Sequence, residues 1–227
     1  MVHKETIREI RFSDYEEVKT VVSAGKWLKY PRKKVQENDV YKLLKVDGKK
    51  AVYQLAANKL KKFFKITPMC FELIWDLDNN TYGGLYVWEE TIGHIGKCNF
   101  WLKDTENMKE IIKIVLFDNV IANNDRTVVN VLVKKDFKIL AIDEGEAFRY
   151  NKAPIKCKFR KEIYLKLKDF VLHNNTWFEV YVKELIGLKY EMVLAIMEEV
   201  DDDCIVECFT NRMDSIQLIA NQLFYGK

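Results

Sequence analysis

Two short apolar runs, 131–133 and 139–142, lie on either side of a polar turn and predict a tight β-hairpin. Because the two runs are similar in length, the residues at the open end of this hairpin, Asn130 and Asp143, must lie close together. Asp125 precedes the hairpin by one short loop, so we expect three oxygen-bearing side chains at the same end. Oxygen donors of this kind suit Mg²⁺, which takes few protein ligands and fills its remaining positions with water and phosphate oxygens.

The spacing of these residues matches the machinery of phosphoryl transfer. In protein kinases the catalytic-loop aspartate is followed five residues later by a metal-binding asparagine, and beyond it by the aspartate of an Asp-Phe-Gly motif. Asp125 and Asn130 have the same spacing, and Asp143-Glu144-Gly145 keeps the Asp-x-Gly skeleton. By this chemistry Asp125 orients the acceptor hydroxyl, while Asn130 and Asp143 hold Mg²⁺ on the ATP phosphates. We expect Gly145 to permit a sharp backbone turn after the metal ligand.

The combination Asn-x-Asp-Arg-x-x-x-Asn and Ile-Asp-x-Gly resembles the HipA-like kinase family and its relatives, the phosphatidylinositol 3- and 4-kinases. The resemblance implies an α+β, two-lobed protein-kinase-like fold with a small β-rich N-lobe and a helical C-lobe. It also implies an ATP- and Mg²⁺-dependent phosphotransferase. Asp125 and Arg126 would be its catalytic residues, and Asn130 and Asp143 its metal ligands. We expect the acceptor to be a serine or threonine hydroxyl of a protein.

The remaining sequence predicts a β-rich first part and a helical second part. The strand-like runs before the boundary are 18–22, 40–46, 69–75 and 85–88. Apolar residues at helical spacing predict helices over 51–64, 106–121, 159–173, 176–187, 189–200 and 211–224. The acidic run 198–203 is interpreted as a loop between helices. We place the boundary near Thr91-Ile92-Gly93, between an N-lobe of residues 1–92 and a C-lobe of residues 93–227.

Nucleotide contacts are expected from the N-lobe and from the connection between the lobes. The strand 40–46 offers Lys42 and Lys45 as the lysine for the ATP phosphates. Lys45 is favoured because its neighbours on the same strand face are aromatic and aliphatic. Kinase-like folds bind adenine through backbone groups where the lobes join. By chain order, the adenine contacts are therefore Val87, Trp88 and Glu89.

Three departures from the kinase pattern leave a pseudokinase interaction module as an alternative. Thr127 stands where many relatives have His directly after Asp-Arg. No glycine-rich phosphate loop precedes Gly83. The predicted helix 51–64 has no acidic residue to pair with the phosphate lysine, and Gln54 or Asn58 could offer it only a hydrogen bond.

Charge and composition bear on which molecules the protein binds. The net charge of +3 is too small to predict a nucleic-acid-binding protein by itself, and no recognition motif accompanies the basic stretches. Residues 149–168 carry eight basic side chains against one acidic, directly after the Asp-x-Gly motif. This favours an acidic acceptor, and it keeps a lipid or small-molecule kinase as a second alternative. No apolar run approaches the length of a membrane span, and five scattered cysteines favour a cytoplasmic location.

Overall fold

The computed structural model describes residues 7–17, 32–37, 40–46, 48–87, 91–98, 104–148, 158–200 and 202–226. Three predictions fall outside this part of the chain: the strand 18–22 and the adenine contacts Trp88 and Glu89. The side chain of Lys42 is also outside it, although its backbone is described.

The first part of the chain forms one mixed sheet. Its described strands are β1 (Arg8–Ile10), β2 (Glu16–Glu17), β3 (Arg32–Glu37), β4 (Val40–Val46), β5 (Phe71–Asp76) and β6 (Thr81–Val87). Their order in the sheet is β1-β5-β6-β4-β3-β2, with β1 parallel to β5 and the other pairs antiparallel. The predicted β5–β6 hairpin is present, but β6 begins earlier than the sequence indicated. Asn80 turns the chain with a φ of 48°, a conformation that asparagine tolerates.

Helix α1 (Lys49–Lys61) packs against this sheet. It begins after Gly48, whose φ of 60° favours glycine. Its buried residues include three alanines, which allow close approach of neighbouring elements. The helix contacts β5 and β6 of this sheet and also a helix of the second part, Lys189–Glu199. It therefore bridges the two parts of the molecule.

The second part contains the predicted hairpin and the longest helix of the described chain. Within the described residues, β7 (Thr91–His94), β8 (Val131–Lys134) and β9 (Ile139–Ala141) form an antiparallel sheet in that order. Helix α2 (Thr105–Val120) precedes the hairpin, and the Asp104 carboxylate caps it by accepting a hydrogen bond from the Asn107 N–H at 2.8 Å. β7 spans the predicted lobe boundary and pairs with β8.

The remaining helices follow a basic segment. They are α3 (Lys161–His173), α4 (Asn175–Gly187), α5 (Lys189–Glu199), α6 (Asp203–Asp214) and α7 (Ile216–Ala220), with a π-helical turn at Asn221–Tyr225. The prediction of one helix over 211–224 is wrong, because α6 already begins at Asp203, whereas the acidic run does lie at the junction of two helices, with Val200 and Asp202 outside both. Asp202 caps α6 by accepting from the Cys204 N–H, and Asp203 lies in its first turn. Acidic residues at a helix N-terminus favour the helix because they satisfy its free N–H groups and its dipole.

One hydrophobic core joins α1 to the second part of the molecule. Phe64 packs edge-on against Phe117 of α2 at 5.0 Å between ring centroids, and Phe178 of α4 packs in the same way against Phe224 at 5.1 Å. All four side chains are almost fully buried. In the part of the chain that the structure describes, no helix has both the length and the apolar character of a membrane span.

Candidate active site

The β8–β9 hairpin brings Asn130 and Asp143 to the same place. Val131 pairs with Ala141, and the Ile142 N–H continues the ladder by donating to the Asn130 carbonyl at 3.0 Å. Asp143, two residues beyond the end of β9, turns away from the ladder with a φ of 65°. This left-handed conformation costs a non-glycine residue about 1–2 kcal/mol, so the surroundings must hold it in place.

The donor atoms at this end of the hairpin fit a hard divalent cation. The Asn130 Nδ2 donates to the Asp125 carbonyl at 3.1 Å, so the Asn130 Oδ1 on the same carboxamide points away from that carbonyl. The Asp143 carboxylate is 44% exposed and faces the Lys45 Nζ of β4 at 3.6 Å. An amide oxygen and a carboxylate are the ligand types Mg²⁺ takes when phosphate oxygens supply further positions. Among the described residues, no three His, Cys, Asp or Glu side chains cluster so as to hold a metal ion by themselves, here or elsewhere.

Lys45 lies where the sheet of the first part faces the hairpin of the second. Its side chain is largely buried, and its Nζ approaches the Asp143 carboxylate. The backbone of Lys42 pairs with Val87 in the sheet, and the Val87 N–H donates to the Cys70 carbonyl at 3.0 Å. That β-ladder contact occupies the N–H of Val87, the described member of the predicted adenine contacts.

Asp125 lies at the surface of the loop before the hairpin. Its carboxylate is half exposed and contacts the Lys158 Nζ at 3.1 Å. The Lys158 backbone N–H donates to the Arg126 carbonyl at 2.7 Å, and Thr127 forms an isolated parallel bridge with Lys158. The described end of the basic segment therefore lies directly against the loop that carries Asp125.

Arg126 is fully buried, in contrast to Asp125. Its guanidinium donates to the Asp118 carboxylate from Nε at 2.7 Å and from Nη2 at 3.0 Å. Nη2 also donates to the Glu144 carboxylate at 2.7 Å. Nη1 donates to the carbonyls of Asn130 at 2.8 Å and Ile142 at 2.5 Å. With every nitrogen engaged inside the protein, the guanidinium has the geometry of a positioning residue, and the catalytic role expected of Arg126 stays a prediction.

A buried network of four charged side chains surrounds this arginine. Lys61 of α1 contacts the Glu144 carboxylate at 3.0 Å and donates to the Ala141 carbonyl at 2.8 Å. Asp118, Arg126, Glu144 and Lys61 have no exposed surface, and their formal charges cancel. Fully buried charges are tolerated when they are paired and hydrogen-bonded.

Burial and pairing act in opposite directions on the pKa values of this network. Burial lowers the pKa of Lys61 and raises the pKa of Asp118. Burial also raises the pKa of Glu144, but the nearby Lys61 and Arg126 outweigh it, so the net shift is downward. The lowered pKa of Glu144 supports a carboxylate that stays ionised between Lys61 and Arg126.

Gln54 of α1 completes the network from the side of the first sheet. Its Nε2 donates to the Glu144 Oε2 at 2.5 Å, and its Oε1 accepts from the Glu144 N–H at 2.8 Å. Asn58, one turn later, makes a similar pair with the backbone of Met69, at 2.6 and 3.0 Å. Both carboxamides that the sequence offered to the phosphate lysine are thus committed to other partners.

Gly145 lies in a turn, and it also permits a close approach of α1. The left-handed φ falls on Asp143 and not on Gly145. A Cβ at position 145 would lie 3.1 Å from the Cβ of Lys50 in the first turn of α1, closer than ordinary contact. Glycine here allows α1 to approach the Asp-x-Gly segment closely.

The sequence reasoning missed Lys61, Glu144 and Asp118 as parts of the site. Glu144 occupied the variable position of the motif, and Lys61 was one of several lysines near the end of a helix. Asp118 alone had a local signal, because it interrupts an apolar stretch of α2 in which its neighbours are buried.

Comparison with known proteins identifies the fold. No family model matches the chain, and no curated protein matches it in sequence. The crystal structure of a proinflammatory kinase from Helicobacter pylori, CtkA, is similar with a TM-score of 0.58. The match covers 97% of this chain and 99% of that one, at 11% sequence identity. This chain therefore has a two-lobed, kinase-like α+β fold, as the sequence predicted, while membership of the HipA-like family stays a prediction.

Proposed function

We propose that this protein is an ATP- and Mg²⁺-dependent phosphotransferase that phosphorylates a serine or threonine hydroxyl of a protein. The observation that carries the proposal is the meeting of Lys45 and Asp143, at 3.6 Å, beside Asn130 on a kinase-like fold. A cation of the first sheet thus lies against a carboxylate of the hairpin, and Asn130 starts the opposite strand of that hairpin. That combination suits a triphosphate with its metal.

Asn130 and Asp143 would hold the metal, and Lys45 would bind the phosphates. When bound, Mg²⁺ neutralises the charge that develops on the transferred phosphoryl group. The contact of Lys45 with Asp143 favours Lys45 over Lys42 for the phosphate role. The adenine would lie at the connection between the lobes, near Val87, Trp88 and Glu89, as chain order suggests.

Asp125 would orient the acceptor hydroxyl and accept its proton. Its half-exposed carboxylate is accessible, and its loop leads directly to the metal-binding asparagine through the bond from Asn130 to the Asp125 carbonyl. Lys158 beside it adds a positive charge at the acceptor side. Arg126 takes a positioning role in this proposal, because it ties the loop to both strand ends of the hairpin.

The basic residues around Lys158 support an acidic acceptor. Lys158, Arg160 and Lys161 are exposed where the chain passes the Asp125 loop. Like charges concentrated at one site raise the local concentration of a partner of opposite charge. We therefore propose a protein substrate with acidic residues close to its acceptor hydroxyl.

Two substitutions test the roles separately. Asp143→Asn should abolish both the Mg²⁺-dependent binding of ATP and the transfer of label from [γ-³²P]ATP to a protein extract. Asp125→Asn should retain ATP binding and lower turnover by about 10²–10⁴-fold, the range of general acid–base catalysis. Asp136→Asn, in the turn at the far end of the same hairpin, is the matched control and should leave both unchanged.

The result decides between the proposal and its alternatives. If neither Asp143→Asn nor Asp125→Asn differs from the parent protein, the assigned roles are wrong. A parent protein that binds no ATP with Mg²⁺ present would instead support a pseudokinase. Label that enters lipid vesicles in preference to protein would identify a lipid kinase.

A further inference from the structure

Helix α1 has no acidic side chain with which to bind the phosphate lysine. In protein kinases a glutamate of the corresponding helix pairs with that lysine, and the pair must be in place for activity. Here the residues of α1 include no Asp or Glu, and Lys45 instead approaches Asp143. The usual link between helix and site is therefore absent from this helix, although α1 remains next to the hairpin.

The described structure has a different link, which runs to the residue after the metal-binding aspartate. Gln54 holds Glu144 by two hydrogen bonds, one to its carboxylate and one from its backbone N–H. Lys61, two turns further along α1, contacts the same carboxylate and the Ala141 carbonyl. At the start of the helix, Lys50 forms an ion pair with Glu146.

These contacts fix the backbone on both sides of Asp143. The preceding carbonyl, of Ile142, accepts from Arg126 at 2.5 Å. The following N–H, of Glu144, donates to Gln54 at 2.8 Å. Asp143 itself has a left-handed φ of 65°, which persists only where neighbouring structure enforces it. The catalytic loop enforces it from one side and α1 from the other.

We infer that α1 positions the metal-binding Asp143 through Glu144, with Gln54 and Lys61 as positioning residues in place of a helix glutamate. The inference rests on the proposed function, because it concerns how that site holds its metal. Partners of this kind, one step removed from a metal ligand, set the orientation of the ligand. A shift of α1 would remove the acceptor of the Glu144 N–H and release the conformation of Asp143.

A matched pair of carboxamides on α1 provides the test. Gln54 and Asn58 lie one turn apart, and each makes one donor and one acceptor bond that joins α1 to another segment. Gln54→Met and Asn58→Leu therefore each remove two similar hydrogen bonds from the same helix. Only those of Gln54 are made to a residue next to Asp143.

The measurement is the affinity of the full chain for a non-hydrolysable ATP analogue, by titration calorimetry, with Mg²⁺ and separately with EDTA. The ratio of the affinity with Mg²⁺ to the affinity in EDTA should be about 10–100-fold smaller in Gln54→Met than in the parent. This is the usual cost of changing such a partner of a metal ligand. The affinity of Gln54→Met in EDTA should stay close to that of the parent, which also reports that the protein is folded. Asn58→Leu should keep the full gain from Mg²⁺.

Two results would overturn the inference in different ways. If the gain from Mg²⁺ is unchanged in Gln54→Met, or falls equally in Asn58→Leu, α1 does not act through Glu144 while the proposed function stands. If the parent protein gains nothing from Mg²⁺, the proposed function fails and the inference fails with it.

Discussion

Removal of the buried Lys61 charge should destabilise the whole protein. Lys61→Met leaves two buried carboxylates, Asp118 and Glu144, to share the single cation of Arg126. The neutral network then carries one uncompensated negative charge with no exposed surface. Breaking a buried ion pair in this way costs about 3–5 kcal/mol.

Lys59→Met is the matched control for this change. Lys59 lies two residues earlier on the same helix and pairs with Glu199, but about two fifths of each side chain is exposed. Surface pairs of this kind contribute about 0–1 kcal/mol. The two variants thus remove the same side chain from the same helix at buried and exposed positions.

The assay is equilibrium unfolding in urea. A loss of about 3–5 kcal/mol, with a slope of about 1–3 kcal/mol per molar, lowers the midpoint by at least about 1 M for Lys61→Met. Lys59→Met should move it much less. The double variant Lys61→Met with Glu144→Gln restores a neutral network, so its loss should be smaller than the sum of the single losses by about 0.5–3 kcal/mol. Equal midpoints for the two lysine variants, or strictly additive losses, would refute this account of the network.

Two further outcomes follow from contacts of the Asp-x-Gly segment. Lys45→Met should weaken binding of the ATP analogue by roughly 10-fold or more, because it removes a hydrogen bond to a charged group. An unchanged affinity in calorimetry would exclude Lys45 from the phosphate site. Gly145→Ala should lower the free energy of unfolding by about 1–3 kcal/mol, because the alanine Cβ would crowd Lys50 of α1. A melting temperature equal to that of the parent would show that α1 can shift to accommodate the Cβ.

The parts of the site that were predictable from sequence are those set by local geometry. A hairpin of two short strands with a tight turn brings its two ends together whatever surrounds it, so the meeting of Asn130 and Asp143 followed from spacing. The kinase-like fold could be inferred because that spacing is specific to phosphoryl-transfer machinery.

The buried network was not predictable because its members are distant in the chain. Gln54 and Glu144 are 90 residues apart, and nothing local distinguishes Lys61 from the exposed lysines beside it. Arg126 was assigned to catalysis because it follows Asp125 in the motif that carries the family resemblance, whereas in the structure its side chain points inward to Asp118. Helix α6 was missed because its acidic start resembles a loop until the capping bond of Asp202 is seen.

The most direct measurement of the central claim is a crystal structure of the protein with a non-hydrolysable ATP analogue and Mg²⁺. We expect a metal ion about 2.0–2.1 Å from the Asn130 Oδ1 and from an Asp143 carboxylate oxygen, with the Lys45 Nζ on the phosphates. A nucleotide bound away from this hairpin, or a metal that touches neither side chain, would contradict it.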